Sequence, residues 1–212
     1  KINDEITAGT FNPEKWKREA IAERKLGTLW DAWIAEKIEA IKTGKFSPST
    51  LKSYNTYRRK LESLESTDVR KITKEELNDL PKKWGKTSGK YQWNIFNCLR
   101  AFLNWAIQKG HMKTLPEFPE CDKEPAKKQK ALDYDGQQFH INEIPDKHRD
   151  IFIFASETAL RIGEACAVMI EDLDLPNERM IVQKTYSASQ LMDRPKGKKK
   201  LWIPLSDRAI EV

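Results

Sequence analysis

The sequence predicts a mainly α protein: an N-terminal helical bundle, then a partial α+β domain with a small antiparallel β-sheet. Three observations carry this. Apolar residues recur at helical spacing through most of the first 115 positions. The stretch "PEFPECDKEPAKKQK" (116–130), dense in proline and lysine, interrupts that pattern. Beyond it come two β-type segments, "RMIVQKTY" (179–186) and "KKLWIPL" (199–205), with the turn-rich "SASQLMDRPKG" between them.

The elements follow in order. Residues 1–22 read as a short amphipathic piece with "GTFNPEKW" as a turn. Gly27 and Thr28 open a helix carrying Leu29, Trp30, Trp33, Ile34, Ile38 and Ile41 on a helical period. "KTGKFSPST" (42–50) is a loop whose end starts the next helix, with Ser47 as N-cap and Pro48 in the first turn. Leu51, Tyr54, Leu61 and Leu64 form its apolar stripe, with Arg58, Arg59 and Lys60 alongside. "ITKEELNDL" (72–80) is a helix with a Thr73/Glu76 capping box, ended by Pro81. A basic loop, "KKWGKTSGK", leads into a long helix over about 88–109. Its Tyr91, Ile95, Leu99, Phe102 and Ala106 share one face at 100° per residue. Lys90, Trp93, Asn97, Arg100 and Asn104 lie opposite, with Trp93 exposed, and Gly110 is the C′ residue. Further helices are expected over 147–158 and 162–170. Ser206 caps a last helix inside which the chain stops, so a truncated chain is expected. The expected domains are 1–22, 23–118, a basic linker over 119–131, and 132–212.

A chain of 212 residues suits one large or two small domains. Seven Trp and eight Phe can fill real cores although 33% of residues are charged. A net charge of +6 and a pI of about 9.1 favour an anionic partner, nucleic acid first and acidic membrane second. Cys98, Cys121 and Cys166 form neither a C-x-x-C pair nor a disulfide framework. No H-E-x-x-H pattern is present, so no metal and no cofactor are expected. With no signal peptide and no apolar run of membrane-spanning length, the expected location is the cytoplasm, with no membrane partner.

Four constellations can carry chemistry, each beside a plainer reading. In "ETALRIGEACAVMIEDLD" (157–174), Arg161 sits among apolar residues that read as core, which makes it half-buried. Arg161 and Glu164 lie three apart on a helix. They are either a surface ion pair worth about 0.2–0.5 kcal/mol or a guanidinium fork for phosphate oxygens, oriented by the acid. "PKGKKKLWIPL" (195–205) is either a solvated basic turn or a hairpin tip presenting Lys196, with Lys198 beside it and Gly197 admitting a nucleic-acid backbone. The Lys90/Asn94/Asn97/Arg100 side of the long helix, with Lys82, Lys83 and Lys86 before it, is either an ordinary exposed face or a DNA-reading one. The linker lysines (Lys123, Lys127, Lys128, Lys130) are either solvated chain or a track for a phosphate backbone.

Taken together, "TALRIGEACAVMIEDLDL", a strand and "KGKKKLWIPL" resemble the catalytic domain of the tyrosine recombinases, the phage-integrase family. The family pattern is T-G-L-R-x-x-E, an acidic step, and a hairpin lysine with a proline eight residues on, as Lys196 and Pro204 are here. "SPSTLKSYNTYRRKLESL" and "GKYQWNIFNCLRAFLNWAIQKGHM" resemble the opening and final helices of its core-binding domain, and "EITAGTFNPEKW" the tail of an arm-type DNA-binding segment. The resemblance implies site-specific recombination of double-stranded DNA by a homotetramer of the full-length bacterial or phage-encoded protein. It implies catalytic roles for Arg161 and Lys196, supported by Glu164, and DNA contacts from Thr50, Arg58, Arg59, Lys86, Lys90, Asn94, Asn97, Arg100, Lys127, Lys130 and Lys198. Ala159 stands where the family has glycine, and Ile170-Glu171-Asp172 replaces the W-x-D step. The H-x-x-R box and nucleophilic tyrosine belong after the hairpin, so Tyr54, Tyr57, Tyr91, Tyr134 and Tyr186 all precede the expected position. A fragment that binds DNA and lacks the nucleophile is therefore expected. The alternatives are a non-catalytic DNA-binding regulator of the same fold and a helical interaction module with an incidental basic surface.

Overall fold

A computed structural model describes residues 2–14, 16, 24–122, 130–193 and 200–212. The chain divides into two compact units, Lys1–Ala40 with Thr50–Pro125, and Ile41–Ser49 with Ala126–Val212.

The first unit is helical. After a short α1 (Ile2–Thr7) come α2 (Leu26–Lys42), α3 (Pro48–Arg58, continued by a 3₁₀ segment Arg59–Leu64), α4 (Lys74–Lys83) and α5 (Gly89–Gln108). Local signals set the boundaries. The Thr73 hydroxyl accepts from Glu76 N while a Glu76 carboxylate oxygen accepts from Thr73 N, the expected capping box. Pro81 does not end α4 but lies in its last turn. Its missing N–H leaves one carbonyl without an intrahelical donor, near an end where carbonyls lack such donors anyway. The Ser88 hydroxyl caps α5 by accepting from Tyr91 N.

The core forms where the apolar faces meet. Trp30, Trp33, Leu61, Leu77, Leu80, Ile95, Leu99 and Phe102 are fully buried. Trp30 and Trp33 meet edge to face at 5.1 Å, and Tyr54 stacks on Trp33 at 4.8 Å. Buried Cys98 packs in the same core, and burial pushes its thiol well above the ordinary range.

The second unit is mixed. α6 (Tyr134–Asn142) and α7 (Asp146–Thr158) precede a one-turn α8 (Ile162–Ala165). α6 went unpredicted; the Asp133 carboxylate caps it by accepting from Gly136 N. The helix expected over 162–170 stops at Ala165. The chain turns instead into a 3₁₀ segment, Ile170–Asp172, where a buried Asp172 carboxylate oxygen accepts from Met169 N. β2 (Arg179–Val182) pairs antiparallel with β1 (Leu173–Asp174) on one side and β5 (Leu201–Pro204) on the other. The expected strand 179–186 is split, and its second half, β3 (Thr185–Ser187), pairs with β4 (Gln190–Met192) across a two-residue turn. "SASQLMDRPKG" is therefore not all turn. Ala188 and Ser189 supply the positive φ angles, 49° and 64°, that such a turn requires. Ser206 caps α9 (Asp207–Glu211), as expected. Met180, Val182, Leu205 and Ala209 form a small core. Among the described residues no helix is long and apolar enough to cross a membrane.

Candidate phosphate-binding site and nucleic-acid interface

Arg161 takes its position from three consecutive departures from helix geometry. α7 ends at Ala159, which adopts the left-handed conformation (φ 52°) that glycine would adopt freely. Leu160 packs against the small core. Arg161 is then extended (φ −68°, ψ 146°) as the N-cap of α8. The apolar stretch around it is not uniformly core, and Arg161 is not half-buried: its side chain is 71% exposed, whereas that of Glu164 is 7% exposed. The buried member of the pair is the acid. One Glu164 oxygen accepts from Arg161 N at 3.1 Å and the other from Arg161 Nη1 at 3.1 Å. The carboxylate thus satisfies the backbone N–H at a helix start and clamps the guanidinium while the rest of that group faces solvent.

The seat of α8 is also defined. A Cβ at Gly163 would stand 2.7 Å from the Tyr186 carbonyl oxygen and 3.0 Å from Thr185 Oγ1, so α8 lies directly on β3. The other Asp172 oxygen accepts from Gln183 Nε2 at 2.6 Å, tying the turn after α8 to the start of the β3–β4 hairpin. Glu157 Oε2 accepts from Ser206 Oγ at 3.0 Å, joining the end of α7 to the cap of α9. Gly163 was not singled out from sequence, and Asp172 only as the last residue of the Ile170-Glu171-Asp172 step; neither residue carries a local pattern that reveals its tertiary neighbour. Lys196 and Lys198 lie outside the described residues, as does Lys127.

In the first unit the predicted DNA contacts divide. Lys86 and Lys90 are exposed at the start of α5, and Arg59 is exposed. Thr50, Asn94, Asn97 and Arg100 are half-buried. Trp93 is also half-buried rather than exposed, because Lys90 Nζ lies 3.9 Å from its ring centroid and covers it. Arg100 donates to Asn97 Oδ1 at 3.0 Å and stacks on Phe118 at 4.4 Å. Arg58 is fixed between Asp31 and Glu65, the latter at 2.9 Å, and the Asp31 partnership raises its proton affinity further. Lys90, Asn94 and Asn97 follow each other at i, i+4 and i+7, one stripe of α5. Lys130 is exposed in the second unit. Burial pushes the Tyr54 and Tyr57 phenols up, the opposite of what an activated nucleophile needs.

No protein-family model matches the chain, and no curated protein does. Solved structures match it. The Tn1549 transposon integrase in complex with a circular intermediate DNA superposes with a TM-score of 0.66 at 20% identity, over 89% of this chain and 63% of that one. A lambda integrase tetramer bound to a Holliday junction gives 0.63 at 19% identity, over 98% of this chain and 60% of that one. A lambda integrase dimer on a core site gives 0.61 at 18% identity, over 85% and 60%. The chain therefore spans between 60% and 63% of the length of these solved chains. Its architecture is that of these solved integrases. Within that class it has the tyrosine-recombinase fold that its Arg161 and Lys196 segments imply.

Proposed function

We propose that this chain is the DNA-holding and phosphate-activating part of a tyrosine-type site-specific DNA recombinase. One observation carries the reading: Arg161 presents a solvent-facing guanidinium fixed by a buried Glu164. A cation held this way needs little reorganisation to meet an incoming phosphodiester. The neighbours, solved on DNA, support the same substrate class.

In this reading the α5 stripe and the exposed Lys86, Lys90 and Arg59 hold duplex DNA, with Thr50, Arg58, Arg100, Lys127, Lys130 and Lys198 adding contacts. A tyrosine oxygen attacks phosphorus, the bond to the 5′ oxygen breaks, and a 3′-phosphotyrosyl link forms. Arg161 neutralises the non-bridging oxygens as charge builds. Lys196 gives its proton to the departing 5′ oxygen. None of the five tyrosines of this chain is assigned the nucleophile. Strand exchange pairs two sites in a homotetramer, the state in which lambda integrase was solved on a Holliday junction.

Residues 1–212 should retard a duplex in a gel, with affinity falling steeply as salt rises. Absent or salt-insensitive binding overturns the reading. In the protein that carries the nucleophile, Arg161→Ala should abolish cleavage and leave duplex binding within about twofold, since phosphate contacts elsewhere supply the affinity. Unchanged cleavage removes Arg161 from its role.

A further inference from the structure

The first unit carries a second cationic feature, used neither by the proposed interface nor by any motif of the sequence. Where α2 begins and α5 ends, Arg24, Arg70, Gly110, His111, Met112, Lys113 and Thr114 line a hollow of about 400 Å³. No carboxylate is among these lining residues. Lys90, in the proposed DNA-holding face, is 20 residues from Gly110 along α5, about 30 Å at the rise of an α-helix.

The hollow is built from fixed parts. Val69 N donates to Arg24 O at 3.0 Å and Leu26 N to Thr67 O at 2.9 Å, clamping the entry to α2 against 67–69. Between them Asp68 is buried. Its Oδ1 accepts from Arg70 N and Nε, each at 3.0 Å, and its Oδ2 from Arg70 Nη2 at 2.5 Å. That carboxylate is thereby occupied, and Arg70 becomes a rigid positive wall. On the other side Gly110 turns the chain with φ 76°, and His111 N donates to Ala106 O at 2.8 Å. Met112 is buried in the core, and the His111 ring lies 6.0 Å from that of Trp105. Lys113 and Thr114 are left exposed. Among the described residues neither Arg24 nor Lys113 makes an ion pair.

We infer that this hollow is an oxyanion site for a phosphate group. The Arg24 fork supplies paired donors matched to two oxygens, Lys113 a point charge, and Thr114 a hydroxyl. Among the described residues, Arg24, Arg70 and Lys113 set against the Asp68 carboxylate leave a net charge of plus two on a pre-shaped surface, which a doubly charged phosphate neutralises. A flat carboxylate uses fewer of these donors than a tetrahedral anion does. The inference does not rest on the recombinase reading and can fail or stand without it.

The test is amide NMR of the ¹⁵N-labelled chain titrated with inorganic phosphate, ionic strength being held constant with chloride. The Gly110, Lys113 and Thr114 amides should move saturably. The double variant Arg24→Gln/Lys113→Gln should weaken binding at least about tenfold, since two charge-assisted contacts are lost. Lys113→Arg should retain it. A second titration with a short DNA duplex separates the sources: movement of the same amides by both ligands identifies a nucleic-acid backbone phosphate. Movement by inorganic phosphate alone identifies a free phosphate or phosphomonoester. Non-saturating shifts in the unmodified chain overturn the site regardless of how the variants fold, and so do unchanged shifts in a folded double variant.

Discussion

At the scale of single residues, Ala159 bears most directly on the site. A Cβ-bearing residue in the left-handed region costs roughly 1–2 kcal/mol, and Ala159 sits there at φ 52° to bring the chain round to Arg161. Ala159→Gly should therefore raise the thermal midpoint of the second unit, by about 1 kcal/mol in unfolding free energy; a lowered midpoint would mean that the turn draws support from the methyl group. Sequence alone flagged this position, since a glycine is usual there in the family it resembles. It did not reveal that the backbone keeps a glycine-type conformation without glycine. Asp68 gives a second residue-scale expectation. Hydrogen bonds from Arg70 hold its carboxyl below the usual carboxylate range. Its stabilisation is thus present above the ordinary carboxylate pKa and is lost as pH falls through the lowered one. Asp68→Asn should melt earlier than the parent at neutral pH, and the two should converge in strong acid.

At the scale of elements, α8 is short and its seat is tight. A Cβ at Gly163 meets a backbone carbonyl of β3 at 2.7 Å, and backbone yields less readily than a side-chain tip. Gly163→Ala should destabilise the second unit by about 1–3 kcal/mol, the range for overpacking, read as an earlier midpoint by circular dichroism. Elements announced by capping chemistry were legible. Thr73 with Glu76, and Ser206, both cap as expected, because a cap is a local bond between near neighbours. The helix expected beyond Ala165 was not legible. Its composition suits a helix, yet Asp172 takes the Met169 N–H and is itself held by Gln183, eleven residues on. A local pattern is silent about such a partner. The same limit explains β4, whose three residues become a strand through their pairing with β3.

For the molecule as a whole, the two units differ sharply in their cores. The first buries four tryptophans, Trp30, Trp33, Trp84 and Trp105, within a continuous cluster of large side chains, whereas the second buries Met180, Val182, Leu205 and Ala209 and leaves Ile170 90% exposed. Unfolding should proceed in two steps, the second unit first, because buried apolar area sets the scale of stability. Hydrogen exchange checks this: amides of β2 and β5 should exchange faster than those at the centre of α5, and equal rates would mean the units unfold together. What the sequence determined by itself was whatever depends on near neighbours and on residue type: the helical period of α2 and α5, the caps, the basic balance, and the pairing of Arg161 with Glu164 three positions on. The tertiary structure decided which of the two faces solvent, how the turn after α8 closes, and that Arg24, Arg70 and Lys113 meet in one hollow. Those outcomes rest on contacts between residues far apart in the chain, and burial is a property of the packed surface that no local run of residues contains.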